Sequence, residues 1–107
     1  MCTTLVTSMN QLFYNQTSFN SDISFWDTSN VTTMEWTFAN SGFNSNIGNW
    51  DTSNVTSMYN MFAITTALNQ DLTDWCVTNI SSEPSGFSSS SPLTNANKPV
   101  WGTCPTD

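Results

Sequence analysis

The chain has no histidine and no arginine, and Lys98 is its only basic side chain. Without imidazole there is no Ser–His–Asp triad, and no Cys/His cluster suits zinc. Nucleic-acid binding depends on Lys and Arg against phosphate, and so does attraction to an anionic membrane surface. Neither partner suits a chain of net charge −7. Charged residues of either sign make up only 8% of the sequence, and no glycine-rich loop is present to cradle phosphate. No apolar run approaches the roughly 20 residues of a membrane helix, so membrane insertion is not expected. The opening MCTTLVTSM lacks the basic and apolar regions of a signal peptide, and Cys2 does not follow a lipoprotein signal. Met1 therefore reads as the start of a fragment whose export signal lies elsewhere.

What is present suits one small domain spanning 1–107. Hydrophobic residues are 37% and aromatics 13%, enough for a core despite the abundance of Ser, Thr and Asn. The sequence repeats. Trp26, Trp50, Trp75 and Trp101 are spaced by 24, 25 and 26 residues, and WDTSNVT begins at both Trp26 and Trp50, letter for letter. Apolar columns run beside the tryptophans: Phe19, Phe43 and Leu68; Ile23, Ile47 and Leu72; Val6, Val31, Val55 and Ile80; Met9, Met34 and Met58; Phe13, Phe38, Phe62 and Phe87. Asparagines align as Asn20, Asn44, Asn69 and as Asn30, Asn54, Asn79. The units are a partial repeat at 1–18 (Met1 to Thr3 being an incomplete start), repeats at 19–42, 43–67 and 68–92, and a cap at 93–107.

A period of 24 to 25 lies in the leucine-rich-repeat range, and Ile47-x-x-Trp50-x-Thr52-x-x-Val55 has a similar internal spacing. The expected fold is α/β: a short right-handed leucine-rich-repeat-like solenoid. Parallel strands are expected around 26–28, 50–52 and 75–77. On the other face, V-T-x-M-x-x-x-F places apolar residues at i, i+3 and i+7, which reads as a short helix. One repeat cannot bury these residues alone, so stability is approximately a sum over neighbours.

The unit F-N-x-D-I-x-x-W-D-T-S-N-V-T-x-M-x-x-M-F, seen as FNSDISFWDTSNVTTMEWTF and FNSNIGNWDTSNVTSMYNMF, resembles the BspA-like surface-protein repeats of the DUF285 type. LNQDLTDWCVTNISSEPSGF with PVWGTC resembles the last repeat and cap of such arrays. The resemblance covers roughly residues 5–104. It implies a cell-surface or secreted protein with adhesion or protein binding as its role, and it carries no catalytic residues. Cys76 in place of Asp, and Glu83-Pro84 in place of Met-x, depart from the pattern and should break the last helix.

Among single residues, Cys76 and Cys104 are expected to face the same way on adjacent strands. A disulfide there would pin the cap, with free buried thiols as the alternative. Cys2 lies three repeats from Cys76, roughly 15 Å, too far to bridge. It is a free thiol or forms an intermolecular disulfide. Asp27 and Asp51 are expected side by side on an exposed sheet face, where they suit a calcium pair, a glycoside-hydrolysing pair, or a solvated ladder bonded to Ser29, Ser53 and backbone amides. The ladder is the simplest reading, since an acid/base pair needs separated pKa values. Asp22, Asn46 and Asp71 read as turn caps. Asn15, Asn30, Asn54 and Asn79 begin N-x-S/T sequons, which a eukaryotic secretory route would glycosylate. The three in register are better explained as a ladder that satisfies backbone groups.

Thr28 with Thr52, and Thr32 with Thr56, form the short Thr columns an ice-binding face would need, although the third repeat carries Val77 and Ser81 instead. Trp36 and Tyr59 fall outside the apolar stripe, free for protein or sugar contacts or packed partly against neighbouring repeats. The sequence therefore points to a non-enzymatic, cofactor-free module outside the cell that binds a protein or glycan on a cell or matrix surface. A self-assembling unit that associates end to end is the alternative; ice or glycan binding is the lesser one.

Overall fold

The V-T-x-M-x-x-x-F segment turns sharply where a helix was expected. The computed structural model describes residues 6–105, and in it paired residues of this segment have left-handed backbone: Gln11 and Asn15, Trp36 and Asn40, Asn60 and Ile64, Gly86 and Ser90, with φ from 53° to 69°. Most are the third residue of a β-turn, where a positive φ closes a type II bend. The carbonyls of Met9, Phe13, Phe38, Met58, Phe62, Pro84 and Ser88 accept from the amides three residues on. Alternate amides leave the repeat, while those of Tyr14, Ala39, Ala63 and Ser89 close a second turn within it. Phe13 N–H reaches Thr37 O and Phe38 N–H reaches Met61 O, each at 2.9 Å. A helix would commit these amides to their own segment.

The α/β solenoid read from the sequence is therefore corrected. Among the described residues there is no α-helix and no strand. The regular structure is a 3₁₀ turn at Asn95–Asn97 and two isolated parallel bridges, Ser8↔Thr33 and Thr33↔Ser57. The i, i+3, i+7 stripe was misleading because successive turns bury the same positions: Met34, Phe38, Met58 and Phe62 are fully buried.

No strands form around 26–28, 50–52 and 75–77 because side chains join the repeats there. Thr28 Oγ1 donates to Asp51 O (3.1 Å), and Thr52 Oγ1 donates to Cys76 O (2.9 Å). The indole N–H of Trp50 donates to Ile23 O (3.1 Å), and that of Trp75 to Ile47 O (2.9 Å). The local backbone bonds instead close turns, such as Trp26 N–H to Ile23 O and Val31 N–H to Thr28 O. Neighbouring units are thus tied by buried hydroxyls and indoles. A further link runs through the asparagines: Asn44 N–H donates to Asn20 Oδ1 (2.7 Å), and Asn69 N–H to Asn44 Oδ1 (2.9 Å).

The core is one cluster from Met9 to Leu93. Phe13, Phe38 and Phe62 stack face to face, with centroids 5.5 Å apart at each step and interplanar angles of 14° and 2°. Phe87 breaks this column. Phe62 N–H bonds to Phe87 O, so Ser88 is the residue in register with Phe62, and Phe87 meets it edge-on at 87°. The last repeat carries one extra residue between Ile80 and Ser85, beside Pro84. Beyond it, Cys76 and Cys104 are joined by a disulfide. Around that link Val77 N–H donates to Thr103 O (2.9 Å), and Gly102 N–H donates to Val77 O (3.2 Å). The incomplete start at Met1 to Thr3, and Cys2, lie outside the described residues.

Left-handed backbone is costly for a β-branched residue, and Ile64 holds φ 57° while 52% exposed. Its counterparts are Asn15 and Asn40, which tolerate this conformation and are linked by Asn40 Nδ2 donating to Asn15 Oδ1 (2.8 Å). Ile64→Asn should relieve the strain and extend that side-chain chain. The expected gain is about 1 kcal/mol, read as a higher urea midpoint at unchanged slope. A lower midpoint would contradict it.

Candidate functional site

The turn segments carry the aromatic side chains that the core does not take up. Tyr14, Trp36 and Tyr59 form a ridge. Trp36 meets Tyr14 edge to face at 5.6 Å and 78°, and Tyr59 at 6.0 Å and 77°. Such edge-to-face pairs are a favoured aromatic geometry. Tyr14 is 38% and Tyr59 43% exposed, while Trp36 is half-buried between them. The two aromatics singled out in the sequence are thus both displayed and packed together.

Tyr14 was missed for a definite reason. Backbone register aligns Trp36 with Gln11 and Asn60, and Tyr14 with Ala39 and Ala63. The three rings therefore meet diagonally across repeats, and no sequence column contains them. Polar bonds fix the base of the ridge. Asn10 Oδ1 accepts from Thr33 Oγ1 (2.8 Å) and Glu35 N–H (2.7 Å), and Glu35 Oε2 accepts from Ser57 Oγ (2.6 Å).

Beyond Tyr59 the surface opens into a groove of about 340 Å³, lined by residues that include Thr56, Ser57, Tyr59, Asn79, Ser82 and Pro84. The groove follows from the extra residue of the last repeat. Met34 N–H bonds to Ser57 O, but among the described residues Met58 N–H has no equivalent bond to the next repeat. Hydroxyls, an amide, a tyrosine and a proline thus surround a neutral recess at one end of the ridge.

Asp27 and Asp51 are exposed, each occupied within its own turn. Asp27 Oδ1 accepts from the Ser29 amide (3.0 Å) and hydroxyl (2.6 Å), and Asp51 Oδ1 accepts from the Ser53 amide (3.0 Å) and hydroxyl. Asp22 and Asp71 do the same with Ser24 and Thr73, and Asn46 with the amide of Gly48. The hydroxyl of Ser24, and then its amide, hold the Asp22 carboxyl below its ordinary pKa; Thr73 acts likewise on Asp71. Among the described residues no three His, Cys, Asp or Glu side chains gather as a metal site would require.

The remaining columns have local duties. Asn54 Nδ2 donates to Ser29 O (2.7 Å) and Asn79 Nδ2 to Ser53 O (3.0 Å), a ladder at the surface. Thr28 and Thr52 are buried, so they offer no face to ice. Thr32 and Thr56 are exposed, but each turns its hydroxyl to the preceding repeat, onto Thr7 O and Thr32 O.

Residues 2–101 match the family model described as "Mycoplasma protein of unknown function, DUF285". The chain belongs to the DUF285 family. No curated protein and no solved structure matches it. In this DUF285 chain no described helix is long and apolar enough to cross a membrane.

Proposed function

We propose that this DUF285 protein is a non-enzymatic binding module of the BspA-like surface-protein kind, displayed outside the cell. It engages a protein or glycan of a cell or matrix surface through the Tyr14–Trp36–Tyr59 ridge. The observation that carries this reading is the ridge itself, three contacting aromatic rings that the core does not absorb. Aromatic side chains supply much of the energy at recognition surfaces, and Trp and Tyr combine an apolar body with a polar tip. The neutral, hydroxyl-rich groove beside Tyr59 adds hydrogen-bonding groups to the ring faces. The disulfide suits an oxidising compartment, in keeping with display outside the cell.

Binding should be measured on immobilised matrix proteins and on a glycan panel. Tyr59→Ala is expected to weaken the captured interaction roughly tenfold or more, the loss of one well-placed aromatic, with an unchanged unfolding midpoint. Tyr59 has ordinary backbone and an exposed ring, so its removal leaves the core intact. Unchanged binding by Tyr59→Ala, or no binding by the parent to either set, would contradict the proposal.

A further inference from the structure

The link from the third turn segment to the last is left open at the surface. Thr32 gives both its amide and its hydroxyl to Thr7 O, and Thr56 gives both to Thr32 O. Ser81 is the next residue of that column. Neither its amide nor its hydroxyl reaches Thr56 O or any other described residue. The ladder then resumes with Asn60 N–H on Ser85 O at 3.1 Å. Between these points lies the groove of about 340 Å³ beside Tyr59.

The groove walls carry unused polar groups. Ser82 and Ser85 are exposed, and their hydroxyls, like that of Ser81, bond to no described residue. Asn79 donates Nδ2 to Ser53 O, while its Oδ1 accepts from no described residue. Tyr59 adds an exposed ring whose hydroxyl is likewise unbonded among the described residues. No charged side chain lines the recess. Two acidic side chains adjoin it, and each is engaged. Glu35 Oε2 accepts from Ser57 Oγ (2.6 Å), and Glu83, between Ser82 and Pro84, pairs with Lys98 of the cap (2.8 Å).

We propose that this groove binds an uncharged sugar at the end of a neutral glycan chain. The sugar ring stacks on Tyr59, its hydroxyls bond to Asn79, Ser81, Ser82 and Ser85, and the following sugars run along the ridge toward Trp36. The inference rests on the ridge as the recognition surface and names its ligand class. Hydroxyls donate and accept alike, so a wall of them matches a ligand built of hydroxyls. The tyrosine ring supplies an apolar face for the C–H side of a sugar ring. The volume lies at the low end of the roughly 300–1,000 Å³ of small-ligand sites, whereas a stable protein partner needs a contact of about 800 Å². An added peptide strand needs a row of free backbone groups, and here the ladder closes again at Ser85. Sialylated, uronic or sulfated sugars find no free cation. Lys98, the only basic side chain, is held by Glu83, and the net charge of −7 repels them.

Amide chemical shifts of isotope-labelled protein test this. The titrants are neutral mono- and oligosaccharides of glucose, galactose, mannose and N-acetylglucosamine, with sialylated, uronic and sulfated counterparts. A neutral oligosaccharide is expected to give saturable shifts centred on Tyr59 and residues 79–85. It should bind more tightly than its monosaccharide and keep its affinity as salt rises, since no charge lines the groove. The acidic counterparts should give no saturable shifts. Ser82→Ala removes an exposed hydroxyl without breaking a bond inside the chain, and is expected to weaken the neutral sugar about fivefold at an unchanged unfolding midpoint. Shifts centred elsewhere, an acidic sugar that binds as well, a chain no tighter than its monosaccharide, or a folded Ser82→Ala of parental affinity would overturn the proposal. If Ser82→Ala fails to fold, the shift map of the parent decides alone. Tyr59-dependent capture of a matrix protein, with no sugar shifting the groove, overturns this inference and leaves the ridge reading standing. A parent that binds neither overturns both.

Discussion

Replacing Cys76 and Cys104 together by serine is expected to cost about 3 kcal/mol of stability. The link spans a sequence separation of 28 residues, and restricting an unfolded loop of that size stabilises the folded state by roughly 3–4 kcal/mol in the chain-entropy model. The effect should be local as well as global. Val77 N–H to Thr103 O and Gly102 N–H to Val77 O lie beside the link, and neither is supported by a helix or a strand. Urea unfolding of the double variant, and of the parent with and without reductant, measures the loss; the melting temperature should fall by roughly 15 °C. The double variant is the right comparison, because a single substitution leaves an unpaired thiol that can form disulfides between molecules. Equal midpoints for the parent and the double variant would show that the last repeat holds its end without the crosslink.

Phe38→Ala should be at least as damaging. The side chain is fully buried, stacks on Phe13, Phe43 and Phe62, and leans against Trp50. Truncating it removes contacts to units on both sides, and loss of a buried phenylalanine side chain costs about 3–5 kcal/mol. Phe38→Leu keeps most of the volume and is expected to cost less than about 1.5 kcal/mol. The ratio of the two losses is the informative quantity. Similar losses would mean that ring stacking, and not filled volume, holds the repeats together. A small loss for alanine would mean that neighbouring units close over the gap.

The column of phenylalanines was legible in the sequence because equivalent side chains touch from one repeat to the next. Trp50, Ile47, Val55 and Met58 could be placed inside for the same reason, and all are buried. The backbone was not legible. Val-Thr-x-Met-x-x-x-Phe has the spacing of a helix face, and the same positions are buried by a chain of turns. The sequence marks those turns with Asn at 15, 40 and 60 and Gly at 86, but Gln11, Trp36, Ile64 and Ser90 adopt the same backbone and conceal the pattern. Around the tryptophans, Thr28, Thr52 and the indoles of Trp50 and Trp75 make the links between units that strands were expected to make.

At the candidate site, Trp36 and Tyr59 could be singled out because they fall off the apolar stripe. Tyr14 could not, since its partners sit in other columns. The groove was equally hidden. It depends on one added residue near Pro84, and aligning Phe87 with Phe62 by side-chain type absorbs that residue without trace. Gly86 shows how tightly the register is held. A Cβ there would lie 1.7 Å from Asn60 Oδ1 in the neighbouring unit, on a backbone that already disfavours one.

The central structural claim is that each turn segment gives alternate amides to its neighbour. Trans-hydrogen-bond scalar couplings in isotope-labelled protein test this most directly. The Phe38 amide nitrogen is expected to couple to the carbonyl carbon of Met61, and the Phe13 nitrogen to that of Thr37. A coupling from Phe38 to Met34, four residues back as in a helix, would contradict the account.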